Sequence, residues 1–529
     1  MNYTTLELKL PTDYQEEELK SNIKKLIKTD DFTYTIEKQS LDARNYKNIF
    51  WNIRVGVYSK LIKNNDNIDD LDNNENNLAN NLVIRNISDK SKSKGKNKVS
   101  VIGSGPAGFF AAYTLLEAGF DVTVFELGPE VYQRIIKVKH FEKTGELDDR
   151  SNYAFGEGGA GTFSDGKLTC RTKTIKLEKK YIFNNFVKWG APAEIEYLSK
   201  PHVGSNILTK VVKNMRKEFI AKGGKIYFDT KMTDFEFIKN PIDNQVTSIE
   251  TEKGKFDCDY LVIASGHSST DTYKLMFAKG IQFINKPFAI GSRVEHYQEL
   301  INISQWNAKS VTGLKAADYA VTYNNAKFPV YSFCMCPGGL VVPAPPRKKA
   351  NIVNGMSNYK RNYPFANSAI VASFELNNLL RREVSPEESF EWLEALEEKF
   401  FDFAKGYNAP SVKVEDLLNN KTTNTFPATS YPFDLIQADF NELMPNNVIH
   451  SMKEGLKHFN TKIKNFSQGH LIGLESRTSS PIQVMREKGG RVANYENLYF
   501  IGEGSGYSGG ITSSAAEGVK TAVFIAENY

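Results

Sequence analysis

KVSVIGSGPAGFFAAYTLLEAGFDVTVFEL, residues 98–127, is written as strand, tight turn, helix, short loop and strand, the compact order of a βαβ unit. Val99, Val101 and Ile102 supply the first strand. Gly103 permits a sharp turn, Gly105 lets the backbone approach a pyrophosphate, and Gly108 lets the helix press onto the sheet. The helix opens at Pro106 and Ala107, so its unpaired N–H groups and positive dipole end face phosphates without help from a lysine. Glu126, roughly 18 residues past Gly108 and at the end of the second strand, is placed to accept hydrogen bonds from a ribose hydroxyl pair. An acid there disfavours a 2′-phosphate, so NADP is not expected in this slot. The turn alone is a weak signal: it serves NAD as well as FAD, and a glycine turn that merely packs a strand on a helix is the plain alternative.

Outward from this unit, a helix around 205–221 leads through Gly223 and Gly224 to the strand KIYFD and then to DYLVIASG, whose apolar run suits a buried parallel strand. The end of the chain, NLYFIGEGSGYSGGITSSAAEGVKTAVFIAENY, is again strand, glycine turn and helix. The nucleotide fold is therefore completed by residues far from its start. Residues 270–465 hold irregular strands, a Pro/Cys-rich loop and an acidic helix from Pro386 to about Ala404 with Phe390, Leu393, Leu396 and Phe400 on one side. At the other end, LELKL, a helix with Leu19, Ile23 and Leu26 on one face, FTYTIEK, and IFWNIRVGV with Ile49, Trp51, Ile53, Val55 and Val57 alternating make a β-α-β-β module, for which a ferredoxin-like fold is the expectation. NNDNIDDLDNNENNLANN and KSKSKGKNK then read as a mobile tether. The expected fold class is α/β: a Rossmann-type domain with a parallel sheet, an inserted α+β substrate domain and a small N-terminal α+β module. The expected division is 1–62 for the module, 63–97 for the linker, 98–269 and 466–529 for the two parts of the dinucleotide domain, and 270–465 for the insert.

With 529 residues, 40% hydrophobic and 24% charged, the chain can build two or three cores. No run of about 18 apolar residues spans a bilayer. The first twenty residues lack the features of a secretory signal, which leaves a cytoplasmic address as the default. A net charge of +5 is too dilute to imply nucleic acid. The basic run in the tether reads as a solvated segment, with an RNA or membrane patch as the alternative. Cys170, Cys258, Cys334 and Cys336 fit neither a disulfide framework nor a four-thiolate zinc site, and no HExxH motif, kinase-type lysine loop or nucleophile elbow occurs. No metal is expected.

Three segments then bear a resemblance. DYLVIASG resembles the second signature of glutathione-reductase-type (two-dinucleotide-binding-domain-like) flavoproteins, and NLYFIGEG resembles their third. More narrowly, YAFGEGGAGTFSDGKL, KPFAIGSRVEH, SFCMCPGG and GLESRTSSPIQV are similar to a family of largely uncharacterised FAD-dependent dehydrogenases, over most of the chain and including the N-terminal unit ending in SLDAR. The resemblance implies FAD in the Gly103–Glu126 slot. It implies further contacts from Ser265 and Gly266, from Gly502 and Glu503 near the ribityl or pyrophosphate region, and from Gly509, Gly510 and Ile511, where a helix N-terminus would face the pyrimidine end of the flavin. No substrate is implied.

Candidate chemistry lies around that slot. The glycines of FGEGGAGTFSDGKL, notably Gly158, Gly159 and Gly161, allow main chain to lie against a flat ring, with Ser164, Asp165 and Lys167 as polar handles; a plain exposed loop is the alternative. Cys334 and Cys336 would share one face of a strand but lack C-x-x-C spacing, so small apolar filling competes with a thiol role, for which Cys336 is the candidate. Glu475 with Arg477, and Arg293 with Glu295, can hold a carboxylate or the flavin edge, or be internal salt bridges. His267 and His296 are open to proton transfer. Catalytic candidates are thus Cys336, Arg477 and Lys167. The expected function is an FAD-dependent oxidoreductase passing a hydride or electron pair between FAD and a small organic substrate. With one dinucleotide turn, NAD(P)H can serve only as a transient reductant, which argues against a disulfide-reductase layout. The alternatives are a flavin-dependent tRNA-modifying enzyme, although nucleic acid is disfavoured as a partner, and a non-catalytic flavin scaffold or redox sensor whose N-terminal module recruits a protein.

Overall fold

Alternation at Ile53, Val55 and Val57 gives the strand Phe50–Ser59 (β3) one buried face. In the computed structural model, which describes residues 2–62, 97–170, 172–423 and 425–528, β3 lies between β1 (Asn2–Pro11) and β2 (Thr33–Asp42) and runs antiparallel to both. Helix α1 (Glu16–Ile27) covers the sheet through Leu19 and Ile23. Leu26, expected on that face, is exposed, and the last turn offers Ile27 to the core in its place. The crossover β1-α1-β2 with β3 inserted is the first part of a ferredoxin-like arrangement; its second helix and fourth strand have no counterpart among the described residues. The free edge of β2 is used on the body of the protein, where Gln39 N donates to Tyr197 O (2.8 Å) and Ser199 N donates to Gln39 O (2.9 Å). The expected tether, apart from Asn97, lies outside the described residues.

The βαβ stretch folds as its sequence indicates: β4 (Lys98–Ile102), α2 (Pro106–Glu117) and β5 (Asp121–Phe125). Together with β6 (Lys225–Tyr227), β7 (Tyr260–Ile263) and the C-terminal strand Leu498–Phe500 they form a parallel sheet in the order C-terminal strand, β7, β4, β5, β6. This is an α/β fold with a Rossmann-like sheet. Helix α2 is apolar nearly all round because it is covered twice, by the sheet and by the C-terminal helix Ile511–Glu527. Gly518 permits that contact, since a Cβ there would stand 2.2 Å from Ala107 O.

The second large sheet holds β8 (Phe288–Tyr297), β9 (Thr322–Tyr323), β10 (Val330–Cys336), β11 (Phe365–Phe374), β12 (Ala409–Lys413), β13 (Leu435–Gln437) and β14 (His470–Glu475). Their order is β9-β10-β11-β8-β14-β12-β13. Membership of β14 carries this unit to Glu475, past the expected edge at 465, because β14 pairs with β8 and not with the parallel sheet. The acidic helix spans Pro386–Ala404, opened by a capping box between Ser385 and Glu388, and buries Phe390, Leu393, Leu396 and Phe400. Among the described residues no helix is long and apolar enough to cross a membrane.

His202, His296 and His470 are all buried. Burial holds them neutral, lowered to about 3, about 4 and about 3. The unfolded chain takes up protons on these residues near the ordinary histidine value while the folded chain does not, so stability falls as pH drops below about 6.5. Glu295, raised by burial to about 6, opposes this over part of the same range, as do Glu142, Glu157, Glu196 and Glu475, which burial also raises, but the three imidazoles are displaced further from their ordinary value. The melting temperature should therefore fall between about pH 7 and about pH 4.5, and His296→Gln should flatten that slope. A flat profile in the wild type would mean that the folded state protonates these rings.

Candidate functional site

The turn after β4 is shaped by contacts that only glycine allows. Gly103 has φ +99°, and its N–H donates to Phe125 O (2.8 Å). A Cβ on Gly103 would lie 2.5 Å from Ala264 O, and one on Gly108 would lie 2.0 Å from Gly103 O. Gly105 differs: with φ −66° it is the N-cap of α2, and a Cβ there would meet only Gly159 Cα at 3.9 Å. No side chain caps α2, whose first helical residues are Pro106, Ala107 and Gly108.

Glu126 sits at the end of β5, beside this turn, and is buried. One carboxylate oxygen accepts from Ser104 N (2.9 Å) and Ser104 Oγ (2.7 Å), the other from Gly128 N (3.0 Å) and Gly156 N (3.2 Å). Glu126, the residue expected to accept from a ribose, has its lone pairs engaged by the chain's own donors. Sequence reasoning missed the residue that completes this clamp. Arg134, fully buried, donates to the carbonyls of Asn152 (2.9 Å), Tyr153 (3.1 Å), Gly156 (3.1 Å), Glu157 (2.9 Å) and Gly159 (2.8 Å). Burial brings its guanidinium down to about 10. Its signal in the sequence is slight, a single arginine at an inward position of a mixed helix.

The loop so held runs between two helix N-termini. A Cβ on Gly159 would stand 3.1 Å from Gly105 Cα, and one on Gly161 would stand 3.1 Å from Ile511 Cγ1. Gly158 has φ +81° and lies against Thr162 and Val212. The C-terminal helix begins at Ile511 after Gly510 (φ +86°), again without a capping side chain, and a Cβ on Gly510 or Gly266 would meet nothing within 4 Å. Gly509 N donates to Ser513 Oγ (3.2 Å). Gly502 packs on α2, since its Cβ would be 2.7 Å from Ala107 Cβ, and its N–H donates to Glu517 Oε2 (2.9 Å). Ser265 Oγ accepts from Ser269 Oγ (2.7 Å), and the Glu503 carboxylate is 3.4 Å from His267 Nδ1. These residues gather at the carboxyl ends of parallel strands, where open α/β sheets take their ligands. The uncapped N–H groups at two helix starts and the open sides of Gly266 and Gly510 suit the charge of a dinucleotide. Between the loop and the first turns of the helices lies a small cavity of about 20 Å³, lined by Pro106, Gly158, Gly161, Val212 and Ile511 among others.

Lys167 continues the loop toward the second sheet. Its ammonium pairs with buried Asp165 (2.9 Å) and donates to Met335 O. Asp165 also takes the fork of Arg361 (3.1 and 2.6 Å). Burial alone would raise the Asp165 carboxyl, but Lys167 and Arg361 hold it well below the usual range. Cys336 is buried at the end of β10, and Cys334, two residues earlier, has φ +46°. The strand alternation expected for the two cysteines is thus broken by a register shift between Phe333 and Cys336.

The arginines change partners relative to the sequence reading. Arg477 grips Glu397 with both sides of its fork (2.6 and 2.8 Å) and reaches His267 O with its remaining nitrogen, while His267 Nε2 meets Arg477 O (3.0 Å). Its donors tie the segment after β14 to the acidic helix, which argues against a catalytic role. Arg293 pairs with Glu475 (2.9 and 3.0 Å), not Glu295, and also donates to Asn367 Oδ1 (2.8 Å), Asn354 Oδ1 (3.1 Å) and Cys334 O (3.2 Å). His296 Nε2 meets Phe466 O (2.8 Å), far from the glycine loop in its bonding.

Residues 97–281 match the model of the pyridine nucleotide-disulphide oxidoreductase family, residues 287–478 that of a FAD-dependent protein, C-terminal domain-like, and residues 2–58 a domain of unknown function. An uncharacterised protein of Clostridium beijerinckii is 39% identical over 442 residues, covering 82% of this chain and 81% of its own length. Among solved structures, glycine oxidase from Bacillus cereus aligns at 13% identity over 82% of this chain and 96% of that one, with a TM-score of 0.33. L-Proline dehydrogenase from P. horikoshii aligns at 12% over 81% and 93%, with a TM-score of 0.33. The chain belongs to the FAD-dependent oxidoreductases of the pyridine nucleotide-disulphide type.

Proposed function

We propose that this protein is a FAD-dependent dehydrogenase or reductase that passes a hydride or electron pair between FAD and a small organic substrate on the Lys167 side of the glycine loop. The observation that carries this reading is the meeting of two uncapped helix N-termini, at Gly105 and Gly510, on one loop, with Gly159 against the first and Gly161 against the second. FAD, when bound, supplies a reversible acceptor for two electrons. The N-terminus of α2 would offset the pyrophosphate charge, and Glu126 would accept from ribose hydroxyls. The Gly156–Gly161 loop, clamped by Glu126 and Arg134, moves aside to admit the dinucleotide, because the cavity beneath it holds about one water. The N-terminus of the C-terminal helix would favour negative charge on a flavin held beside it. With one dinucleotide turn, NAD(P)H would act as a visiting reductant.

The purified protein should be yellow, absorbing near about 450 nm. Glu126→Ala should lower flavin affinity roughly tenfold to hundredfold, the worth of charge-assisted hydrogen bonds, measured by fluorescence quenching on titration with FAD. A colourless protein that takes up no added FAD would overturn the reading.

A further inference from the structure

A cleft of about 860 Å³ opens where the N-terminal module meets the second large sheet, and none of its lining residues belongs to the glycine-loop cavity. On the module side it is walled by Tyr46, at the tip of the turn between β2 and β3. Asn45 shapes that turn: its side chain accepts from Lys47 N (3.0 Å) and its carbonyl from Asn48 N (2.9 Å). Ala43 and Ile49, on either side of the tip, pack against the core of the second large sheet. The turn is anchored by both flanks, so the ring of Tyr46 is held at the cleft although 54% of its surface is exposed.

The opposite wall is the helix Gln298–Trp306, which follows β8. Its two buried amides fix the floor. Gln298 Nε2 donates to Asn302 Oδ1 (2.8 Å) and Ala317 O (3.0 Å), and its Oε1 accepts from Gly338 N (2.6 Å). Asn302 Nδ2 donates to Lys309 O (2.7 Å). At the start of the helix, Tyr297 lays its ring along Phe365, with centroids 5.3 Å apart and planes at 24°, and keeps 51% of its surface exposed. The remaining lining is polar and uncommitted. Ser304, Gln305, Asn307, Asn465 and Gln468, with both tyrosine hydroxyls, make no side-chain hydrogen bond among the described residues. Charge nearly cancels: Lys309 pairs with Glu299 (2.8 Å), which leaves Lys464 as a lining cation without a carboxylate among the described residues.

The volume falls in the range of roughly 300–1,000 Å³ found for small-molecule sites. One net positive charge is too little for a polyanion, which is held by a track of cations. An apolar ligand would strip water from several amides without replacing its hydrogen bonds. An amide side chain offers donors and an acceptor together, and a hydroxyl group both donates and accepts, so a ligand rich in hydroxyls satisfies this wall. A tyrosine ring presents an apolar face with a polar tip, which suits the C–H faces of the same ligand. We propose that the cleft is a saccharide-binding site, in which Tyr46 and Tyr297 take the C–H faces of sugar rings while Gln305, Asn307 and Gln468 bond their hydroxyls. The site stands apart from the flavin fold and does not depend on the function proposed above.

Saturation-transfer-difference NMR of the full-length protein with maltotriose, cellotriose, mannotriose, xylotriose and tri-N-acetylchitotriose, each at about 1 mM, reads the binding directly. At least one trisaccharide should take up saturation on its ring protons. Tyr297→Ala should weaken that binding roughly tenfold, and Tyr46→Ala should act in the same direction. Both rings are half-exposed, so stability should move by no more than about 0.5 kcal/mol. Should a variant fold poorly, hydrogen–deuterium exchange of the wild type decides: the sugar should slow exchange at residues 45–47 and 298–309 and leave residues 156–161 unchanged. No transfer to any of the trisaccharides, transfer that survives both substitutions, or protection confined to residues outside the cleft would overturn the proposal. So would capture of a fluorescein-labelled oligothymidylate that both substitutions release, since the rings would then serve nucleic-acid bases.

Discussion

Gly105→Ala yields a protein that folds as stably as the wild type but no longer retains flavin, whereas Gly108→Ala yields one that melts roughly 6 °C or more lower. Both remove a glycine from the same turn, and the difference is where the new methyl group goes. At Gly105 the backbone already sits at φ −66°, which alanine adopts freely, and the Cβ meets only Gly159 Cα at 3.9 Å, an ordinary contact. The stability change should stay within about 0.5 kcal/mol. That methyl group nevertheless enters the gap between the start of α2 and Gly159, which the proposed dinucleotide would need for its pyrophosphate. At Gly108 the Cβ lands 2.0 Å from Gly103 O and 3.1 Å from Ala264 Cβ. Neither neighbour can retreat: Gly103 N is bonded to Phe125 O and Ala264 N to Ile102 O, so the turn is pinned between two strands. Overpacking of this kind costs about 3 kcal/mol or more. Thermal melts and the flavin-to-protein absorbance ratio of the two variants decide the matter. A Gly105→Ala protein that keeps its yellow colour would move the pyrophosphate away from α2.

The elements that sequence made legible are those whose determinants lie within one short window. Val99, Val101 and Ile102, the three spaced glycines, and Glu126 at the end of β5 are all local, and so is the capping box that starts the helix at Pro386. What stayed hidden depends on partners far along the chain. Glu475, the last residue of β14, and Arg477, two positions beyond it, are close in sequence, yet they turn to Arg293 and Glu397, because the adjacent strand β8 presents Arg293 to one and the acidic helix presents Glu397 to the other. Alternation along β10 predicts two cysteines on one face, but a register shift against β11 puts Cys334 in a left-handed turn, and a shift is a property of two strands. Arg134 escaped notice for the same reason: its five carbonyl partners lie in a loop 18 to 25 positions away. Lys167 was legible as a polar handle, but the cysteine strand it reaches was not.

Arg293→Met should melt roughly 6 °C or more below the wild type, and the double variant Arg293→Met/Glu475→Leu should recover most of the loss. Both partners are buried, and the guanidinium satisfies Glu475 with two bonds while holding Asn367, Asn354 and Cys334 O with its other donors. Removing the arginine alone strands a carboxylate in the interior, which costs about 3–5 kcal/mol. Removing both charges replaces the pair by apolar volume and leaves no uncompensated ion. Arg293→Lys should behave more like Met than its charge implies, since an ammonium lacks the planar fork that meets both oxygens of Glu475. The same variants separate structure from chemistry. If Arg293 only staples β8 to β14, the double variant restores the rate at which Cys334 is labelled along with the melting temperature. If its positive charge also favours the Cys334 thiolate, stability returns but labelling stays slow at neutral pH and recovers only as the pH is raised.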